Sequence, residues 1–367
     1  MNRHLKKVWP ALAVSLVLAT SCMNAADNTD MNRSKSSVDS KKDMQKKPQG
    51  SMGMITPPVN PCVQGCDFSF GVEALYFRAT EDSETVGFGA PVAGTYPQNY
   101  SLSNQQYDWS WGARVDAGYA MDHDGWDFQA QWTWFRTTHI HDRTAPTGGG
   151  FYSPVAGTNF LTSPTLNIKS GALNAHRRLL INMGDLDLGR EFFISKWLVL
   201  RPHVGARGIW VERSLRVNAV NITGIPTGLD TNTNRVTSLS NGSYNAGGMY
   251  VGLDTQWGFG DGWSLFGNLD QALVYGRNTF TVSEVDHTTT APKYTRYTST
   301  DRWNTVRGMT DIAIGLRWDY MFGNDGYRLR LQAAWEEHIF SNLDVTNFGS
   351  SGDLALTGAS FKASFDF

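Results

Sequence analysis

Apolar and polar residues alternate with a period of two through most of the chain from residue 67 onward. Trp126, Phe128, Ala130, Trp132 and Trp134 interleave with Asp127, Gln129, Gln131 and Thr133, and Ile312, Ile314, Leu316, Trp318 and Tyr320 interleave with Asp311, Ala313, Gly315, Arg317 and Asp319. Successive side chains of a strand point to opposite faces, so each segment carries one apolar and one polar face. The pattern predicts ten strands, at about 67–79, 107–121, 126–138, 174–193, 197–213, 244–259, 263–280, 304–322, 327–340 and 353–367. Each is at least as long as the roughly 9 to 11 residues that a tilted membrane-crossing strand needs. The segment 174–193 fits worst: Leu179, Ile181 and Met183 are out of phase with Leu186 and Leu188, which predicts a bulge or a displaced boundary. The last strand puts Ala355, Ala359, Phe361, Ala363, Phe365 and Phe367 on one face and Ser360, Lys362, Ser364 and Asp366 on the other.

The connections sort by length. Asp122-His123-Asp124-Gly125, Ser195-Lys196, Gly260-Asp261-Gly262 and Gly323-Asn324-Asp325-Gly326 read as tight turns. They alternate with long Thr-, Asn-, Ser-, Gly- and Pro-rich connections such as 81–106, 139–173, 214–243 and 282–303. Tight turns on one edge and long loops on the other are the periplasmic and extracellular edges of an outer-membrane barrel, whereas a soluble β-sandwich has no reason to sort its loops this way. The expected fold is therefore all-β: a transmembrane antiparallel up-and-down β-barrel of about ten strands, or twelve if 139–173 hides a hairpin.

Composition agrees. Only 41% of the 367 residues are hydrophobic, and no apolar run reaches the length of a membrane helix, so the chain can enter a bilayer only as a barrel. Thirteen Trp, thirteen Tyr and 37 Gly suit interfacial girdles, turns and crowded inner positions. Arg3, His4, Lys6 and Lys7 precede an apolar run from Val8 to Ala19, and small residues follow, which predicts a signal peptide over 1–26. Ala19-Thr20-Ser21-Cys22 is a looser match to a lipoprotein cleavage box. Residues 27–61 hold no aromatic residue and are rich in Lys, Ser and Asn, a disordered periplasmic segment by composition. The net charge of −2 points to no nucleic-acid partner.

The polar phase of the strands nominates the residues that face the lumen. They are Glu73, Arg114, Asp116, Asp127, Asp187, Arg201, His203, Arg207, Asp254, Asp270, Asp311, Arg317, Asp319, Arg328, Arg330, Glu336 and Lys362. In a wide interior these charges would line a solvated channel; in a narrow one they must pair across it. Ten strands sit just above the size whose inner side chains fill the barrel, so both outcomes stay open. Arg201, His203 and Arg207 on one face suggest an anion-favouring constriction, but scattered ion pairs are the preferred reading. The pair His139-Ile140-His141 could hold a transition metal, and Asp122-His123-Asp124-Gly125 starts like a calcium loop without its later ligands. Neither is taken as a site. Gly258-Phe259-Gly260 opens no helix, and no nucleophile has a base at a recognisable spacing, so no enzyme activity and no cofactor are expected.

Four stretches carry a family resemblance: Cys66 to Tyr76, Trp111 to Tyr119, Asp185 to Arg190 and Leu200 to Gly205. From about residue 62 the chain resembles the pore-forming major outer membrane proteins of legionellae and chlamydia-like bacteria. The resemblance implies an abundant porin, with surface and adhesion roles beside it. Cys62 and Cys66 flank the first strand, and in an exported protein they would form an internal disulfide or cross-link neighbours; the resemblance adds weight to cross-linking. Expected partners are outer-membrane lipid and lipopolysaccharide, the barrel-assembly machinery through the terminal Phe367, and further copies of the chain. Two functions stand: a porin for passive diffusion of small hydrophilic solutes or ions, and a structural or adhesive surface barrel with a closed lumen.

Overall fold

The computed structural model describes residues 68–81, 85–90, 101–104, 107–121, 125–144, 150–152, 169–223, 233–288, 294–323, 326–345 and 351–367. The expected signal peptide, the segment 27–61, and both Cys62 and Cys66 lie outside the described residues. So do Asp122, His123 and Asp124 of the first tight turn.

Among the described residues fourteen strands form one sheet. In chain order they are β1 (Phe68–Glu81), β2 (Thr85–Ala90), β3 (Ser101–Asn104), β4 (Ser110–Ala120), β5 (Trp126–Thr144), β6 (Gly150–Tyr152), β7 (Lys169–Arg190), β8 (Phe192–Ser195), β9 (Leu198–Thr223), β10 (Thr233–Gly260), β11 (Trp263–Thr288), β12 (Tyr294–Phe322), β13 (Tyr327–Val345) and β14 (Ser351–Asp366). Ten of them, β1, β4, β5, β7 and β9 to β14, make a closed antiparallel wall. The sheet closes where β1 pairs β14 from Ser69↔Asp366 to Glu81↔Leu354. Phe68 and Phe367 then exchange two backbone hydrogen bonds of 3.1 and 2.9 Å at the turn edge. β2, β3 and β6 pair among themselves and touch the wall only at Phe151↔Ser170, so among the described residues the stretch 139–173 adds no wall strand. β8 continues the line of β7 past Glu191 and pairs β9.

All ten expected wall strands are present, but several run farther than expected toward the loop edge. β9 and β10 stay paired from Leu198↔Trp257 up to Val220↔Arg235, through much of what reads as loop. Threonine and valine are good strand formers and asparagine and serine bond across the ladder there, as Thr237 Oγ1 does to Asn218 Oδ1 at 2.8 Å. The expected bulge in β7 is absent: its ladders to β5 and β9 run without a shift between Ala172 and Gly189. Leu186 and Leu188 face outward, and Leu179, Ile181 and Met183 face inward and are buried. The change of phase marks an apolar stretch of the inner face, not an irregular backbone.

The outer wall carries the large exposed apolar residues, among them Met249 (68% exposed), Leu273 (63%) and Tyr275 (59%). At the turn edge the β10–β11 connection uses positive φ at Gly260, Asp261 and Gly262, +111°, +53° and +80°. A Cβ on Gly262 would come within 2.3 Å of the Asp319 carbonyl, so glycine is needed there twice over.

Closure predicts a specific cross-link. Thr80 and Ala355 are direct partners across the β1–β14 seam on the outer face, so the T80C/A355C variant should form an intramolecular disulfide in the folded protein. The bond is read as a gel shift reversed by reductant. A T80C/T357C control, displaced by two residues, should cross-link far less; equal yields would mean that the seam register is wrong.

Candidate functional site: the barrel interior

Every lumen residue nominated above stands on the face of its strand opposite the exposed apolar residues. They do not line an open channel. Many of their ion pairs join adjacent strands, and several, such as Arg114–Glu336, Arg207–Asp311 and Arg201–Asp127, skip one or two strands of the wall and are chords through the interior. Arg114 of β4 reaches past β1 and β14 to Glu336 of β13 at 2.9 Å, holds Glu73 at 3.0 Å and donates from Nε to Thr133 at 3.1 Å. His338 lies between Glu336 (3.0 Å) and Asp311 (2.8 Å). Arg207 of β9 closes the chain: it bonds Asp311 of β12 across two intervening strands and Asp185 at 2.7 Å. A continuous run of opposite charges thus crosses the lumen from β1 to β7.

A second hub lies nearer the turn edge. Arg201 donates from Nε to Asp127 at 2.8 Å and from Nη1 to Asp254 at 3.0 Å, and its Nη2 bonds Asp187. Tyr250 donates to the other oxygen of Asp187 at 3.0 Å. Elsewhere on the inner face, Arg330 pairs Asp319 at 2.9 Å, Arg328 pairs Asp366, Lys362 pairs Asp116 at 2.8 Å, and Arg317 donates to Gln256 at 2.6 Å. Arg201, His203 and Arg207 each face carboxylates, so the suggested anion constriction is neutralised by its own surroundings.

Glycines in the wall let these chords form. Gly252 of β10 lies opposite both His203 and Asp270. A Cβ there would come within 2.3 Å of His203 Nε2 and 2.0 Å of Asp270 Oδ1. Gly189 does the same for Arg201, whose guanidinium carbon would lie 2.4 Å from a Cβ. The glycine is a gap through which a side chain reaches the strand beyond.

Toward the loop edge the inner face changes character at one level on nearly every strand. Glu73 gives way to Leu75 and Phe77, Asp185 to Met183, Ile181 and Leu179, Arg207 to Ile209 and Val211, Asp270 to Ala272 and Val274, Asp311 to Met309, His338 to Phe340, and Lys362 to Leu356 and Leu354. With Phe135 and Tyr244 these residues form one packed cluster, each 0 to 4% exposed. It closes the barrel with an apolar layer that sequence reasoning missed. Beneath the layer remains a polar cavity of about 120 Å³ lined by Glu73, Arg114, Gln131, Asn268 and Lys362 among others. Above it a buried Arg177 bonds Glu81 and packs its guanidinium 4.8 Å from the centre of the Tyr107 ring. Arg177, Glu81, Asp185, Tyr250 and His338 were not nominated, although each lies in the inward phase of its strand; Tyr107, also missed, stands just ahead of β4.

His203, Asp254 and Asp270 are close enough together to suggest a metal. His203 turns Nε2 to Asp270 at 3.0 Å and Nδ1 toward Asp254 at 3.7 Å. Opposite edges of one ring cannot converge on a single ion, and Asp254 already holds Arg201, so the trio is an ion-pair bridge. His139 and His141 share the inner face with ring centres 6.0 Å apart, and His139 Nδ1 is taken by Asp108 at 3.0 Å.

An antiparallel barrel with an apolar outer wall and a charged interior is an integral outer-membrane β-barrel. The chain belongs to the family described as the Legionella pneumophila major outer membrane protein precursor, which matches residues 59–367. No curated protein sequence matches it. Among solved structures it is similar to the deltaS2S3 mutant of the TodX monoaromatic hydrocarbon channel (9% identity, 83% of this chain and 91% of that one, TM-score 0.29). It is also similar to a major outer membrane protein from Thermus thermophilus (11%, 82% and 99%, 0.29) and to Ail, the attachment invasion locus protein of Yersinia pestis (9%, 82% and 99%, 0.22). At these scores the likenesses carry no argument, and the fold rests on the closed ladder itself.

Arg114 is the most connected charge of the upper network. Arg114→Ala leaves Glu73 without its partner and Glu336 with His338 alone, and should destabilise the barrel by about 3–5 kcal/mol, measured by urea unfolding in lipid vesicles. Replacing Glu336 by Gln in the same chain should recover part of that loss, because one uncompensated charge is then removed. An Arg114→Ala barrel as stable as wild type would mean that the network is solvated.

Proposed function

We propose that the protein is a gated porin of the outer membrane. Small hydrophilic solutes or ions enter a charge-lined lumen from the turn edge, and the apolar layer holds the passage shut in the conformation described here. The observation that carries this reading is the switch of the inner face from charged to apolar at one level around the wall. A polar vestibule that ends on an apolar constriction is the arrangement by which a pore is closed through dewetting. Membership of the major outer membrane protein family supports the reading. The chemistry is that of passage, with no group cast as a catalyst and no cofactor.

A second reading is favoured by the chords across the lumen. Ion pairs that skip two strands of the wall tie it together, and a structural or adhesive surface barrel with a permanently closed lumen would be built in the same way.

Single-channel recording in a planar bilayer separates the two. Wild type should show rare, discrete openings, and the double variant F77A/F135A, which thins the apolar layer, should raise open probability or conductance several-fold. Folding is checked by the gel shift on heating. If both proteins fold and neither conducts, the porin reading fails and the structural one stands.

A further inference from the structure

The outer wall ends toward the loop edge in a repeated way. Tyr76 is followed two residues on by Arg78, Trp134 by Arg136 and Tyr275 by Arg277, and on descending β7 Leu180 is preceded by Arg178. Period two keeps each pair on one face, so these arginines stand outside the barrel, each one step beyond an outward apolar side chain; on β5 one more outward apolar residue, Ile140, follows Arg136. The same strands begin at the turn edge with Phe68, Trp126 and Trp263. From Phe68 to Arg78, and from Trp126 to Arg136, is ten steps along the strand. At about 3.3 Å per residue and a tilt of about 40° that is about 25 Å, the height of the apolar band of an outer-membrane barrel. Arg78 and Arg136 therefore mark the boundary between hydrocarbon and headgroups on the loop side, and Arg277, fourteen steps from Trp263, stands about 10 Å farther into the headgroup layer.

The equivalent step carries Glu212 above Trp210 and Glu337 above Trp335. Glu212 lies opposite Leu180, next to Arg178 on β7, and Glu337 is separated from Arg78 by Thr357. Four arginines against two glutamates leave the belt cationic. A guanidinium at such a boundary has an apolar stem to bury and a planar fork that matches a phosphate with two parallel bonds.

We propose that Arg78, Arg136, Arg178 and Arg277 form a belt that binds the phosphates of a phosphorylated glycolipid in the outer leaflet. Full-length protein refolded in neutral detergent would be titrated with diphosphorylated lipid A and with its dephosphorylated form. The phosphorylated lipid should bind at least about tenfold tighter, and more weakly as salt is raised. Replacing the four arginines by glutamine should cost roughly fivefold for each one removed, with folding checked by heat modifiability. Equal binding of the two lipids would overturn the proposal without any variant, and so would full binding by the folded quadruple variant. Displacement of the lipid by millimolar inorganic phosphate would also overturn it, because the belt would then be a site for the free anion.

Discussion

Hydrocarbon offers a backbone no hydrogen-bond partner, so a strand can cross the membrane only if both of its edges are paired within the protein. In this chain the constraint is met at one seam, where β1 and β14 zip together from Ser69↔Asp366 to Glu81↔Leu354. Without that seam the sheet would have two open edges in lipid. With it, the number of strands in the ring is set, and so is the width of the space they enclose. Everything inside follows from that width.

A ring of ten strands is narrow enough that side chains reach past one or two strands of the wall to meet inside it. Charges that would be solvated in a wide pore instead find each other: Arg114 with Glu336, Arg207 with Asp311, Arg201 with Asp127. Each such chord must offset the cost of drying two ions, which it does only when the geometry is close and the spare hydrogen bonds are filled. Thr133 on Arg114 and Tyr250 on Asp187 fill two of them. Glycines in the intervening strands supply the clearance. Farther toward the loops the same narrowness favours apolar packing, since side chains that touch across the ring exclude water entirely.

The two halves of the interior have opposite consequences for passage. The charged half can exchange partners with an entering ion at modest cost, because a carboxylate or guanidinium replaces lost hydration. The apolar half offers no replacement, so an ion crossing it would lose its hydration for nothing. In the proposed porin, opening would therefore have to move or thin the layer formed around Phe77, Phe135 and Leu179. The longest strands, β9 to β12, reach well beyond this level and carry their pairing to Val220↔Arg235 and Asp286↔Tyr294. The layer is thus held in a stiff sheet rather than in loops.

Much of this was legible residue by residue. Alternation gave the ten wall strands and their inner and outer phases, because the side-chain period of a strand is a local property of the backbone. The tall hairpins were not legible, since Thr-, Asn- and Ser-rich stretches read alike whether their backbone bonds go to water or to a neighbouring strand. The phase anomaly at Leu179, Ile181 and Met183 was visible and read as a bulge or a displaced boundary; the strand does run from Lys169 to Arg190 instead of 174 to 193, but the anomaly itself is the trace of the apolar layer on one strand. Sequence alone thus determined which face of each strand each residue occupies. Only the closed structure decided who meets whom across the barrel, because the register and slant of ten strands around a ring place Arg114 against Glu336, 222 positions away, and no local pattern encodes that distance.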